Sequence, residues 1–109
     1  MAFKPYHNID GSTGVDVELL APGDNANNIK SILIANTTAS AATVSLFIQN
    51  SPTGSAPSTF YMLKNISMTA GSSLLLDSND MLAFDNSPNG YGLYVTVGGS
   101  DTFDISITR

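Results

Sequence analysis

The sequence contains no cysteine, a single histidine and few charged residues. Without cysteine, neither disulfides nor thiolate metal sites can stabilise the domain, so packing and assembly must do so. A nucleophile needs a base held beside it, and the isolation of His7 argues against a catalytic triad. No apolar run approaches the roughly 20 residues of a membrane span, so we expect a soluble protein without a membrane partner.

Charge is both scarce and unbalanced. Charged residues make up 12% of the chain, and nine acidic residues face four basic ones, whereas average proteins contain about 25% charged residues. Lys4, Lys30, Lys64 and Arg109 are widely separated, but binding to phosphate backbones needs clustered cations. We therefore expect no nucleic-acid partner and a polar, weakly charged surface of the kind found in proteins that work in assemblies.

The first 13 residues differ from the rest of the chain. They include Phe3, Pro5 and Tyr6 but show no sustained hydrophobic period, and they end at a turn signal in residues 10–12. They also lack the apolar segment of a secretory signal, so we expect synthesis in the cytoplasm without export. This pattern predicts an N-terminal arm over residues 1–13 and one folded domain over residues 14–109.

Short apolar runs separated by turn signals follow from Gly14 to the end of the chain. The clearest period of two lies at residues 43–49, where Val44, Leu46 and Ile48 share one face. Residues 32–34 are apolar on both faces, which predicts a central or doubly covered strand. About eight such runs, with no helical period, predict an all-β antiparallel β-sandwich, and eight strands also suit a jelly roll.

The same alternation predicts which side chains form the core. The run at residues 81–84 is interpreted as one of the eight strands, and the last two runs, around residues 93–97 and 103–107, as an antiparallel hairpin. The predicted core consists of Ile32, Ile34, Val44, Leu46, Ile48, Leu63, Leu74, Leu76, Leu82, Phe84, Leu93, Val95, Val97, Phe103, Ile105 and Ile107.

Candidate chemistry is sparse. Asp77 with Asp80, and Asp16 with Glu18, are the nearest carboxylate pairs for acid/base work, but turn-forming or solvent-facing acids explain them better. Residues 24–28 and 77–80 offer oxygen ligands for Ca²⁺, yet neither has the twelve-residue loop with its bidentate glutamate. We therefore expect no enzymatic activity, no metal and no cofactor.

Two segments resemble small virion proteins of tailed bacteriophages. One is Phe60–Asp77, a strand followed by a Thr-Ala-Gly-Ser turn and another strand, and the other is Tyr91–Ser100 together with Asp104–Ile107, which looks like the terminal hairpin of those domains. With residues 32–44, the segments that carry the resemblance are spread from residue 32 to residue 107, over roughly three quarters of the chain. Capsid decoration (cement) proteins in this group are similar in size, acidity and lack of cysteine, and they often work as trimers on the capsid.

The resemblance implies a non-enzymatic decoration protein that binds and stabilises the capsid lattice at the virion surface, with the major capsid protein or other virion proteins as partners. Phe3, Lys4, Pro5 and Tyr6 are the candidate contact residues. The alternative is a neck, tail or fibre module that contacts other virion proteins, or host glycans through exposed Tyr and Asn. A thin core without disulfides or metals further predicts a homo-oligomer, which we expect to be a trimer.

Overall fold

The structure, a computed structural model, describes residues 6–10, 17–22, 29–50, 58–77, 84, 86–87, 90–98 and 101–108. Within these ranges the chain forms eight strands and no helix. No helix of the described residues is long and apolar enough to cross a membrane. The strands are β1 (Tyr6–Asp10), β2 (Val17–Leu20), β3 (Ser31–Asn36), β4 (Ala42–Asn50), β5 (Ser58–Met68), β6 (Ser73–Leu76), β7 (Gly92–Val97) and β8 (Thr102–Thr108).

The strands form two four-stranded antiparallel sheets. The first sheet has the order β1-β8-β3-β6, and the second has the order β2-β7-β4-β5. The pairs β1 with β8, β2 with β7, β3 with β6 and β4 with β5 are nested, as if one long hairpin had been rolled into two layers. This strand order is that of a jelly roll. The predicted antiparallel β-sandwich of about eight strands is therefore confirmed.

The core lies between the inward faces of the two sheets. Every predicted core residue that the structure describes is either buried or partly buried against the core, and Leu82 lies outside the described residues. The period-two pattern was thus a reliable guide to which face of each strand points inward. Six further core residues were not predicted: Ile9, Leu19, Leu20, Ile29, Ala42 and Met68.

The predicted N-terminal arm is wrong for residues 6–10, which form β1 and pair with β8. Burial in β1 alternates, with His7 and Ile9 inward and the three residues around them exposed. The period is strict, but a buried histidine counts as polar in a hydrophobicity pattern and hides it. The sandwich therefore includes residues before Gly14, while residues 1–5 and 11–13 lie outside the described ranges.

Two further predictions about strands need correction. β7 and β8 do not form a hairpin, because β7 pairs with β2 and β4, whereas β8 pairs with β1 and β3. Hydrophobic alternation defines which face of a strand is buried but not which strand pairs with it. In the predicted strand at residues 81–84, Phe84 is not in a strand but packs partly buried against the core, and residues 81–83 lie outside the described ranges.

A buried asparagine joins three segments at one end of the sandwich. Asn36, 1% exposed, directs its side-chain Nδ2 at the carbonyl oxygens of Ser40 (3.1 Å), Met68 (3.1 Å) and Thr69 (3.2 Å). Its Oδ1 accepts a hydrogen bond from the Thr38 backbone N–H at 2.9 Å. A buried amide needs partners, and these hydrogen bonds both satisfy it and tie the end of β3 to the turn before β4 and to the end of β5.

Replacing Asn36 with aspartate should therefore destabilise the fold. The substitution keeps the size and the Oδ1 acceptor but removes the donor that faces three carbonyl oxygens. We expect the Asn36→Asp variant to lose at least about 2 kcal/mol of unfolding free energy, measured by urea denaturation followed by circular dichroism. Asn65→Asp, the same change at an exposed position, is the control and should cost less than about 1 kcal/mol. Equal losses in the two variants would contradict the role given to Asn36.

Candidate functional site

The structure describes one of the four predicted contact residues. Tyr6 is the first residue of β1, on the outward face of the first sheet, and it is 71% exposed. Phe3, Lys4 and Pro5 lie outside the described residues. Tyr6 therefore lies on an edge strand of the first sheet, and the residues beside it on that sheet determine what kind of surface it belongs to.

Three exposed apolar side chains form one row across the outer face of the first sheet. Tyr6 is in register with Ser106, Ser106 with Leu33, and Leu33 with Leu75. Leu33 is 39% and Leu75 54% exposed. Four strands spaced about 4.8 Å apart make this row about 14 Å wide. We call Tyr6, Leu33 and Leu75 the apolar row.

The next row on the same face is polar and contains a carboxylate. Asn8, Asp104, Ala35 and Ser73 are in register across the four strands, and the Asn8 side-chain amide donates to Asp104 Oδ1 at 2.7 Å. Residues two apart along a strand are roughly 6.5 Å apart, so Asp104 lies directly beside the apolar row. Asp10 is exposed one step further along β1, and so the face carries acid on one side of its apolar row.

The outer face of the second sheet also has a row of large side chains, but these cover one another. Tyr94, Phe47 and Tyr61 are in register across β7, β4 and β5. The Phe47 ring lies 5.8 Å from the Tyr94 ring, nearly parallel to it, and 5.2 Å from the tilted Tyr61 ring. Phe47 is only 3% exposed although it points away from the core. We call Tyr94, Phe47 and Tyr61 the aromatic row.

A charged side chain contacts the tyrosine at each end of the aromatic row. The Tyr94 hydroxyl donates to Glu18 Oε2 at 3.1 Å, and Lys64 Nζ lies 5.0 Å from the centre of the Tyr61 ring, within cation–π range. Phe47 and Tyr94 therefore stabilise the sheet by packing on each other, whereas Tyr61, at the β5 end of the row, is 50% exposed.

Of the residues considered for catalysis, the structure describes His7, Glu18 and Asp77, which lie in three different segments. His7 is buried within the sandwich rather than placed beside an open surface, and Glu18 accepts a hydrogen bond from Tyr94. Asp16, Asp80 and the oxygen-rich segment 24–28 lie outside the described residues. Among the residues that the structure does describe, no group of three or more His, Cys, Asp or Glu side chains could hold a metal ion.

The sequence contained a signal for the apolar row in the apolar residues of β3, but these were interpreted as the mark of a central or covered strand. The apolar residues on both faces of β3 predicted a central or doubly covered strand, and β3 is indeed central, between β8 and β6. Its outward residue, Leu33, is not covered by a further layer. Leu75 also points outward, because the middle one of three consecutive leucines in a strand lies on the opposite face from the other two.

No family model matches the chain, and no curated protein or solved structure is significantly similar to it.

The packing of the aromatic row makes a prediction about stability. Phe47→Ala should lower the unfolding free energy by about 3 kcal/mol, as for a phenylalanine in a core, because the ring is buried between two tyrosines. Tyr6→Ala, which removes an exposed aromatic ring from the other sheet, should cost less than about 1 kcal/mol. Urea denaturation of both variants measures the difference. A small loss for Phe47→Ala would mean that the aromatic row is a free surface.

Proposed function

We propose that the protein is a non-enzymatic structural protein of a tailed-phage virion, a capsid decoration protein that binds the capsid lattice from outside. Its contact surface is the outer face of the first sheet, centred on the apolar row. The protein works there by shape and surface complementarity and not by chemistry. In the mature particle its partner is the major capsid protein.

One observation carries the proposal: three large apolar side chains are exposed in a single row across the first sheet, with Ser106 as the one polar residue between them. Exposed apolar groups rimmed by polar residues mark interaction sites on soluble proteins. Asn8, Asp104 and Ser73 in the neighbouring row provide such a rim. Tyr6, predicted as a contact residue from the sequence, is the most exposed large hydrophobic side chain among the described residues.

The fold agrees with the proposal without deciding it. Jelly rolls occur in viral capsid proteins and also in lectins, and a fold alone does not imply a function. Phe47, the central ring of the aromatic row, is 3% exposed and presents no open face to a sugar, which weighs against a lectin-like site centred on it. The low content of charged residues, 12%, suits a protein that remains bound to a neighbouring protein surface.

A neck, tail or fibre protein would use the same face against a different virion protein. Copy number separates the two possibilities, because a decoration protein is present in a number set by the capsid lattice, whereas a neck or tail component follows the low symmetry of the tail. Gel densitometry of purified particles gives that number directly. A low copy number would reassign the protein to the tail or neck and leave its binding face unchanged.

Replacing Leu75 should weaken attachment to the particle. We expect Leu75→Ser to reduce binding roughly 5- to 30-fold, the effect of losing one or two kcal/mol at an interface, in co-sedimentation with particles that lack the protein. Leu75→Met, which keeps an apolar side chain of similar volume at the same position, is the matched control and should bind like wild type. Equal binding by wild type and Leu75→Ser would reject this face as the contact surface.

We also propose that the protein works as a homo-oligomer, a trimer. The thin core has no disulfide to support it, and three of the exposed large hydrophobic residues, Phe60, Tyr61 and Ile66, lie on the edge strand β5, away from the apolar row. Two separate apolar surfaces suit a protein with one contact to the shell and another to its own copies. Sedimentation at micromolar concentration should show a trimer, and a stable monomer would contradict this proposal.

A further inference from the structure

The charges around the apolar row are unevenly distributed. Within the four strands of the first sheet the charged side chains are Asp10 and Asp104, and no lysine or arginine lies within those strands. Asp101 lies in the turn that precedes β8, on the same side of the apolar row. The face therefore has an acidic end, and its apolar row begins one step along the strands from that end.

The opposite end of the face is close to neutral. Lys30 lies there, since its backbone N–H donates to the Thr108 carbonyl at 2.7 Å. Asp77 lies at the same end, because it follows Leu76, which is in register with Ile32 at the start of β3. Both side chains are exposed, and their charges offset each other. The net charge of the described part of this face is thus negative and concentrated beside Asn8 and Asp104.

This charge pattern disfavours a second copy of the chain as the occupant. Two copies meeting through this face would bring carboxylates near carboxylates in one orientation, and in the opposite orientation they would place the acidic end against an end whose charges offset each other. Neither orientation supplies a net positive charge that complements Asp10 and Asp104, and each chain carries a formal net charge of −5. Like charges facing each other suppress an association, whereas opposite charges guide it and accelerate it. The exposed apolar group on β5 contains no acidic residue, and the one charged residue of that strand is Lys64. The face of the first sheet is therefore available for a different partner.

We infer that the outer face of the first sheet binds a basic protein surface, one that places lysine or arginine side chains opposite Asp10 and Asp104 and an apolar patch opposite Tyr6, Leu33 and Leu75. The identification of that surface as part of the capsid shell rests on the proposed function. The acids lie beside the apolar row, on one side of it. The partner must therefore bind in the one orientation that places its apolar patch on the apolar row and its basic side chains opposite the acids.

Binding of this kind has two separable components. The carboxylates act mainly on the association rate, and their effect falls as salt screens the charges. The apolar row acts mainly on the dissociation rate and is insensitive to salt. Asp104→Asn keeps an oxygen acceptor for the Asn8 amide while removing the charge, so it changes electrostatics without breaking the local hydrogen bond.

The first arm of the test uses a defined probe and no phage particle. A hexapeptide of alternating leucine and lysine is titrated into the isotope-labelled full-length protein, and a hexapeptide with glutamate in place of lysine serves as the matched control. We expect the NMR shifts to move at Tyr6, Leu33, Leu75 and Asp104 with the basic peptide alone. Shifts confined to the second sheet, equal responses to both peptides, or no response to either would overturn the inference.

The second arm measures binding to particles that lack the protein, at low and high salt. The double variant Asp10→Asn with Asp104→Asn should associate roughly 3- to 10-fold more slowly at low salt and like wild type at high salt. Leu33→Ser combined with Leu75→Ser should lose at least about tenfold in affinity at both salt concentrations. Glu18→Gln, which removes an acid from the second sheet, is the control and should leave the rates unchanged.

The two arms distinguish the inference from the function it rests on. If wild-type protein fails to bind particles but the basic peptide maps to the first sheet, the decoration role is wrong and the basic partner stands. If wild-type protein binds particles and the charge and leucine variants bind equally well, the decoration role stands and this face is not the one used. A loss caused by Glu18→Gln equal to that of the double variant would overturn the assignment of the acids on the first sheet.

Discussion

The contact between the inward faces of the two sheets is the interaction on which the rest of the structure depends. Every described strand contributes side chains to one shared interior, and among the described residues there is neither a disulfide nor a group suited to hold a metal. Because strands alternate faces, burying one set of side chains necessarily turns another set outward. The residues that point outward on both sheets are therefore determined by which residues fill the core. The two sheets differ in how these outward side chains are packed.

On the second sheet the aromatic side chains that point outward pack against one another. Phe47 lies between two tyrosines, and Glu18 and Lys64 complete the row at its ends. On the first sheet the outward leucines and Tyr6 have only Ser106 between them and remain exposed. The centre of the aromatic row is thus packed, with Phe47 only 3% exposed, whereas all three side chains of the apolar row are exposed. This contrast supports the first sheet as the proposed contact face.

The sequence was sufficient to predict the fold class and the inward residues of most strands. In β4, residues 43–49 alternate so clearly that Val44 and Leu46 could be assigned to the core from their spacing. β1 was missed because His7 occupies an inward position where the pattern shows a polar residue. The apolar row depends on which strands are neighbours, since Tyr6, Leu33 and Leu75 are far apart in sequence. Pairing between distant strands leaves no local trace, and the predicted β7–β8 hairpin failed for that reason.

The nested pairing of the strands also has a consequence for how the chain reaches this structure. Among the eight described strands, only β4 and β5 pair as neighbours in sequence, while Tyr6 and Ser106 meet across almost the whole chain. Folds dominated by such distant contacts form slowly, on a timescale of roughly milliseconds to seconds, because the entropy of long loops is lost before the contacts compensate for it. During synthesis β1 leaves the ribosome first of the eight strands, but its one neighbour in the sheet, β8, leaves last. Ile9 and Tyr6 therefore spend nearly the entire translation of the domain without the strand that they will pair with, and the face that carries the apolar row is completed only after the final strand is released.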